Sequence, residues 1–200
     1  DRNDEASHTN LAGIALYYYI TADKRAKDVL DEIGSFFLQG RVTYYGHPDI
    51  APLRSIANVL WGEVILYELT QDKRYKEAAD KWMSLLYDGQ AYDGSWGEDY
   101  NPVKRRWDGK PHLGYISDYT VPALIEYHKL TGSKAAAECI TKVTDYEIKH
   151  SEYGGYFDAS AYSYWLTGDM KYAQNVSARL DFTVAHQRRD NDPLWDVMIY

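Results

Sequence analysis

A phrase repeated four times at helix junctions constrains this chain more than any other feature. The copies are Tyr18-Tyr19-Ile20-Thr21-Ala22-Asp23, Tyr67-Glu68-Leu69-Thr70-Gln71-Asp72, His128-Lys129-Leu130-Thr131-Gly132-Ser133 and Tyr164-Trp165-Leu166-Thr167-Gly168-Asp169. Each follows an apolar run and precedes a second run rich in Ala, Lys and Glu. That pattern specifies an αα-hairpin: an inner helix, a tight polar turn, and an outer helix returning antiparallel. One hairpin cannot bury its apolar face alone, so the hairpins must stack. The spacing from Thr21 to Thr70 to Thr131 to Thr167 is unequal, which argues against a solenoid of fixed period. Variable loops at one rim of an all-α α/α-toroid explain it better.

The expected hairpins span about 5–39, 54–87, 115–150 and 157–187, and residues 193–200 read as the start of a further inner helix. Ile14, Leu16 and Tyr17 are expected to form the apolar face of the first inner helix, and Gly40 to stop its outer partner. Residues 88–114 form the longest irregular stretch. Because they carry Tyr92, Trp96, Tyr100 and Trp107, they read as a functional loop rather than as disorder. The expectation is a single domain over residues 1–200: an incomplete six-hairpin barrel, cut from a longer protein or closed by another subunit.

Composition narrows the function classes. At 45% hydrophobic residues the chain can bury a sizeable core. Its apolar runs are broken well short of the roughly 20 residues of a membrane span. A net charge of −8 argues against a nucleic-acid surface, which needs clustered Lys and Arg. The sequence shows no export signal and does not begin with Met, so export is invisible in it. A secreted or periplasmic location is the expectation. Cys139, the single cysteine, cannot form an intrachain disulfide and reads as a small core residue. No pair of histidines stands at a metal-ligand spacing, so neither metal nor cofactor is expected, although calcium held by loop oxygens around Asp93, Glu98 and Asp99 would leave no such trace. Asn175-Val176-Ser177 is a sequon, placed within a helix.

With 20 Tyr and 6 Trp, the chain is rich in rings that can stack on sugar faces while their polar edges hydrogen-bond. In a toroid the N-termini of the inner helices gather at one mouth, where their dipoles favour anionic groups. Polar residues there are the candidates: Glu5, Ser7, His8 and Asn10; Arg54, Ser55 and Asn58; His112, Tyr115, Asp118 and Tyr119; Tyr156, Asp158 and Ser160. Preceding loops add Tyr44, Tyr45, His47, Trp96, Arg105, Arg106 and Trp107. Ser7, Ser55 and Asp158 also suit helix caps, and His128, His150 and His186 suit helix C-termini.

Gln90-Ala91-Tyr92-Asp93-Gly94-Ser95-Trp96 resembles the QxxxGxW motif of triterpene cyclases. It occurs once, and the cyclases' Asp-rich protonation motif is absent, so it reads as a turn shared by α-toroids. Asp1-Arg2, His8, Gly13 and the run from Ala15 to Ala26 resemble the toroid domain of exo-rhamnogalacturonan-lyase-type (YetA-like) proteins. The Leu-Thr-Gly-Asp cadence is similar to that of six-hairpin glycosidases and other toroid polysaccharide lyases. The resemblance covers about the first 35 residues and carries over only His8.

It implies a carbohydrate-active domain acting on a polysaccharide or oligosaccharide, with lyase ahead of hydrolase. β-Elimination on a uronate needs donors on the carboxylate and a base. Asn10, Arg54, Trp96, Arg105 and Trp107 are the binding candidates, and His8, His112, Tyr115 and Tyr119 the catalytic ones. A glycoside hydrolase would instead use two carboxylates, drawn from Glu5, Glu98, Asp99, Asp118 and Asp158. A non-catalytic sugar-binding or scaffolding arc is the third reading.

Overall fold

The computed structural model describes residues 6–44, 46–151 and 157–190, with side chains up to residue 185. Glu5, Tyr45, Tyr156, the His186 side chain and the expected helix at 193–200 lie outside the described residues.

A 3-10 turn, Ala6–His8, precedes the first hairpin, α1 (Ala12–Thr21) with α2 (Lys24–Phe37). Strand β1 (Ala51–Pro52) leads directly into α3 (Leu53–Thr70), which pairs with α4 (Lys73–Gly89). Strands β2 (Asp99–Asn101) and β3 (Arg106–Asp108) follow. The short α5 (Leu113–Tyr115) then passes through a π-helical turn, Ile116–Thr120, into α6 (Val121–Thr131). Helix α6 pairs with α7 (Lys134–His150), and α8 (Phe157–Thr167) with α9 (Met170–Asp190). Helices α1, α3, α6 and α8 touch in sequence as an inner layer, backed by α2, α4, α7 and α9. Helix α3 has neighbours on nearly every side and buries Leu53, Ile56, Ala57, Val59, Leu60, Val64 and Leu66. Residues that would be a solvent stripe on a surface helix are apolar there for that reason.

The repeated phrase folds the same way each time. Thr21, Thr70, Thr131 and Thr167 donate their hydroxyls to the carbonyl four residues back and accept the N–H two residues on. The next residue turns into the left-handed region: Ala22 at φ 54°, Gln71 at 58°, Gly132 at 65° and Gly168 at 70°. Asp23, Asp72, Ser133 and Asp169 then cap the outer helix through first-turn N–H groups. Alanine is strained at the turn position, so Ala22→Gly should raise stability by roughly 0.5–1 kcal/mol in a denaturant titration. Gln71→Gly should gain less, because the Gln71 amide donates to the Tyr67 and Glu68 carbonyls.

The Gln90–Trp96 motif is a clasp, as its reading as an α-toroid turn implies. Gln90 Nε2 donates to the Gly94 and Cys139 carbonyls, each at 3.0 Å, and Trp96 Nε1 donates to the Leu86 carbonyl at 2.8 Å. The turn is thereby tied to α7. Cys139 is fully buried, and burial pushes its thiol up to about 12, as befits an inert core residue.

Several sequence expectations need correction. The first inner helix begins at Ala12, not near residue 5, and leaves Leu16 60% and Tyr17 53% exposed. Those two therefore face away from the core that Ile14 and Ala15 reach. Residues 88–114 are not wholly irregular but hold an antiparallel hairpin. Ser55 is no cap: α3 starts after Pro52 without a side-chain cap. Asn175 of the sequon accepts a hydrogen bond from Ser160 Oγ at 2.9 Å. No described helix is long and apolar enough to cross a membrane.

Candidate functional site

Strands β1, β2 and β3 form an antiparallel sheet at the mouth end of α3, with Leu53 N–H donating to the Glu98 carbonyl at 2.9 Å. Register and pleat sort its side chains. Ala51, Tyr100 and Trp107 are aligned on one face; Pro52, Asp99 and Asp108 are aligned on the other. The aromatic face turns inward: Tyr100 and Trp107 pack against the core with centroids 5.3 Å apart. Gly89 makes room for the Trp107 indole, since a Cβ there would lie 2.0 Å from Nε1. The other face sets Asp99 directly opposite Asp108, at a Cβ separation of about 4.5–5.5 Å for such partners. Burial, then the charges of Glu98 and Asp108, raise the Asp99 carboxyl above its usual range. Asp108 has a counter-ion, Arg106 Nε, at 2.7 Å. The pair thus combines one carboxyl raised above its usual range with one held in an ion pair.

At the start of α3, Arg54 donates to the Tyr44 hydroxyl at 3.4 Å and lies over the Tyr115 ring, 5.0 Å from its centroid. His112 caps α5, its Nδ1 accepting from Tyr115 N–H at 3.2 Å, and stacks on Tyr115 at 4.0 Å. Tyr119 meets Tyr115 edge-on at 6.4 Å. Burial, reinforced by Tyr44, Glu98 and Asp99 against the opposing charge of Arg54, pushes the Tyr115 hydroxyl above its usual value. Behind the mouth, Ser117 of the π-helical turn donates its hydroxyl to Glu147 Oε1 of α7. Burial pushes the Glu147 carboxyl up to about 7, with Ser117 opposing, Asp118 adding and Arg179 opposing.

A groove of about 420 Å³ runs along the inner layer between α6 and α8. Trp61, Tyr162 and Trp165 supply aromatic surface, and Asp158, Glu126 and Lys129 polar groups. Trp165 is 69% exposed, and His128 holds the Tyr162 hydroxyl at 2.8 Å. Burial raises the Asp158 carboxyl, with Lys129 opposing.

The structure brings together four of the expected site residues, Arg54, His112, Tyr115 and Tyr119, along with Glu98 and Asp99. The others lie elsewhere. Trp96 is 1% exposed with its N–H spent on Leu86, so no ring face is left for a sugar. Trp107 is on the core side of the sheet. Asn10 accepts from Ala12 N–H at 2.9 Å as α1 begins. His8 is exposed on the 3-10 turn, whose carbonyls Asn58 anchors. Arg105 is exposed in the β2–β3 turn at φ 52°. Asp108 and Glu147 were not expected. A short hairpin between Glu98 and Gly109 is the signal that would have placed Asp108 beside Asp99.

No protein-family model and no curated protein matches the sequence. Among solved structures the chain is similar to an α-1,6-mannanase, GH76A, of Salegentibacter sp. HEL1_6. That structure is of an inactive variant, two successive aspartates replaced by alanine, in complex with α-1,6-mannotetrose. The TM-score is 0.64 at 16% identity, over 88% of this chain and 60% of that one. The chain thus spans about 60% of the neighbour's length. At this identity the likeness concerns architecture, and the architecture it shares is the α/α-toroid.

Proposed function

We propose that this chain is a carbohydrate-active domain and that its chemistry is glycoside hydrolysis rather than β-elimination. The observation that carries the reading is the Asp99–Asp108 pair. Two carboxyls on paired strands, one raised above its usual range and one ion-paired, sit in unequal environments, as the acid and the nucleophile or base of a glycosidase do. A retaining pair needs its carboxyls about 5–5.5 Å apart, and side chains directly opposite each other on paired strands can reach that range. The field of Glu98, Asp99 and Asp108 also suits an oxocarbenium-like transition state, which is positive. The same field opposes a uronate carboxylate, and the raised Tyr115 hydroxyl is a poor base for elimination. The aromatic groove of Trp61, Tyr162 and Trp165 offers stacking surface for a neutral glycan.

The mannanase likeness supports hydrolysis and suggests α-mannan oligosaccharides as first substrates. This sequence has no Asp-Asp dipeptide, so its carboxylates are drawn from a different local pattern than the two altered in that enzyme. With the longest natural form of the protein, new reducing ends should appear without the ultraviolet absorbance of an unsaturated product. Asp99→Asn should lower kcat/KM by about 10²–10⁴ while oligosaccharide binding persists. A rise in ultraviolet absorbance instead would return the lyase reading, and binding without either product would leave a sugar-binding module.

A further inference from the structure

Counted from their turns, the hairpins bury the same positions until the fourth. Eight residues before the cap residue stand Ala15, Val64, Ile125 and Ala161; eleven after it stand Gly34, Met83, Thr144 and Leu180. The first three of each set are buried, whereas Ala161 and Leu180 are exposed, Leu180 at 45%. For Gly34 and Thr144 the cover is the following hairpin. A Cβ added at Gly34 would meet Leu66 and Tyr75 of the second hairpin. Thr144 Oγ1 lies 2.8 Å from Ser163 Oγ and 3.2 Å from the Ala159 carbonyl oxygen, both on α8. Helix α9 shows which flank is left open. Lys171 pairs with Asp145 of α7 at 2.8 Å. Nine residues make about two and a half helical turns, so Leu180 lies on the flank away from α7. Val184, one turn further on, is exposed as well, as are Tyr164 and Trp165 near Ala161 on α8. Exposed apolar side chains gathered along one edge mark a contact surface.

We propose that this edge is the docking surface for residues 193–200 of the same chain, which lie outside the described residues, folded as the first turns of a fifth inner helix. The spacing supports it. Phe157 opens α8 24 residues after the cap Ser133, and Pro193 follows the cap Asp169 by the same interval. Proline suits the first position of a helix. Carried across by that interval, Trp195 and Ile199 take the places of Ala159 and Ser163, the two residues against Thr144. The change is matched on both sides: Thr144 meets a carbonyl and a hydroxyl, whereas Leu180 would meet an indole and an aliphatic chain. A second pair follows suit. His128 meets the Tyr162 hydroxyl at 2.8 Å, and their counterparts by the same counting are Tyr164 and Met198. Each repeat of a stacked array buries its face on the next, and the fifth helix would do so for the fourth hairpin.

The test is amide hydrogen exchange on the full chain, with its mass in solution measured by light scattering. The amides of residues 197–200 are the first in such a helix with a carbonyl four residues back. They should exchange at least about tenfold more slowly than in a free peptide of the same sequence. Leu180→Asp should return them to within about twofold of the peptide rate while α3 stays protected. Val103→Asp, at an exposed apolar residue of the β2–β3 turn, should leave them slow. The chain should be a monomer with and without Leu180→Asp. Peptide-like exchange in the wild type, or unchanged protection in Leu180→Asp, would overturn the proposal. So would a dimer that Leu180→Asp dissociates, since a second copy would then cover the edge. If Leu180→Asp fails to fold, persisting protection in Trp195→Asp would overturn it instead.

Discussion

Glu63→Leu should raise the melting temperature at about pH 8 and leave it nearly unchanged close to pH 4.5. The reason is linkage. Burial raises this carboxyl from 4.5 to about 9 in the folded chain. Below pH 4.5 both folded and unfolded chains hold the proton, and the group does not bias folding. Between 4.5 and about 9 only the unfolded chain releases it, so stability falls as pH rises, by about 1.4 kcal/mol per unit. At neutral pH the cost is on the order of 3 kcal/mol, which leucine removes while filling the space with apolar atoms. In a domain of this size that corresponds to roughly 6–12 °C. Melting curves at about pH 5, 7 and 8.5 check it: the gap between variant and wild type should widen with pH. A gap of constant size would mean that Glu63 is ionised or paired in the folded chain.

The second large effect is expected at Gly94. Its φ of +95° is one that L-residues rarely adopt, and an added Cβ would sit 2.2 Å from the Lys142 carbonyl oxygen and 2.6 Å from its carbon. Neither backbone can yield without parting the turn from α7 and breaking the Gln90 bridge to the Gly94 and Cys139 carbonyls. Strain and lost hydrogen bonds together should cost roughly 3–4 kcal/mol in Gly94→Ala, a fall of about 10 °C in Tm. The proper control is Gly13→Ala on α1, where nothing lies within 4 Å of the new methyl. It should stabilise by roughly 0.5–1 kcal/mol through helix propensity. Because the clasp precedes the strand that carries Asp99, Gly94→Ala should also reduce any activity by more than its stability loss explains at low temperature.

What could be read in the sequence depended on how local the determinant is. The Thr21, Thr70, Thr131 and Thr167 turns are built from neighbours within six residues, so all four hairpins were legible. The Gln90–Trp96 turn was legible as a turn for the same reason, but not the direction of Trp96, which depends on α4 and on the helix beyond it. Trp107 misled because its face of the sheet follows from pairing with Tyr100, and strands three residues long carry no periodic signal. That register also hid the Asp99–Asp108 pair. Glu147 and Glu63 look like ordinary helix acids. Only the apolar setting of Glu63, between Gly62 and Val64 on a helix buried nearly all round, hints at its burial. Leu16 and Tyr17 failed in the opposite sense, being apolar yet exposed, because α1 has core contacts on one side only.

The four turns that join inner to outer helices share one length and one hydrogen-bond pattern, whereas the returns from outer to inner helices differ from one another: residues 38–52, 90–112 and 151–156. The protein is thus a chassis with a closed, invariant base and an interchangeable top. Segments grafted between Gly89 and Leu113 would meet helix ends already fixed from below. Such grafts should alter the surface presented at that end at far lower cost to folding than the same number of substitutions within α3.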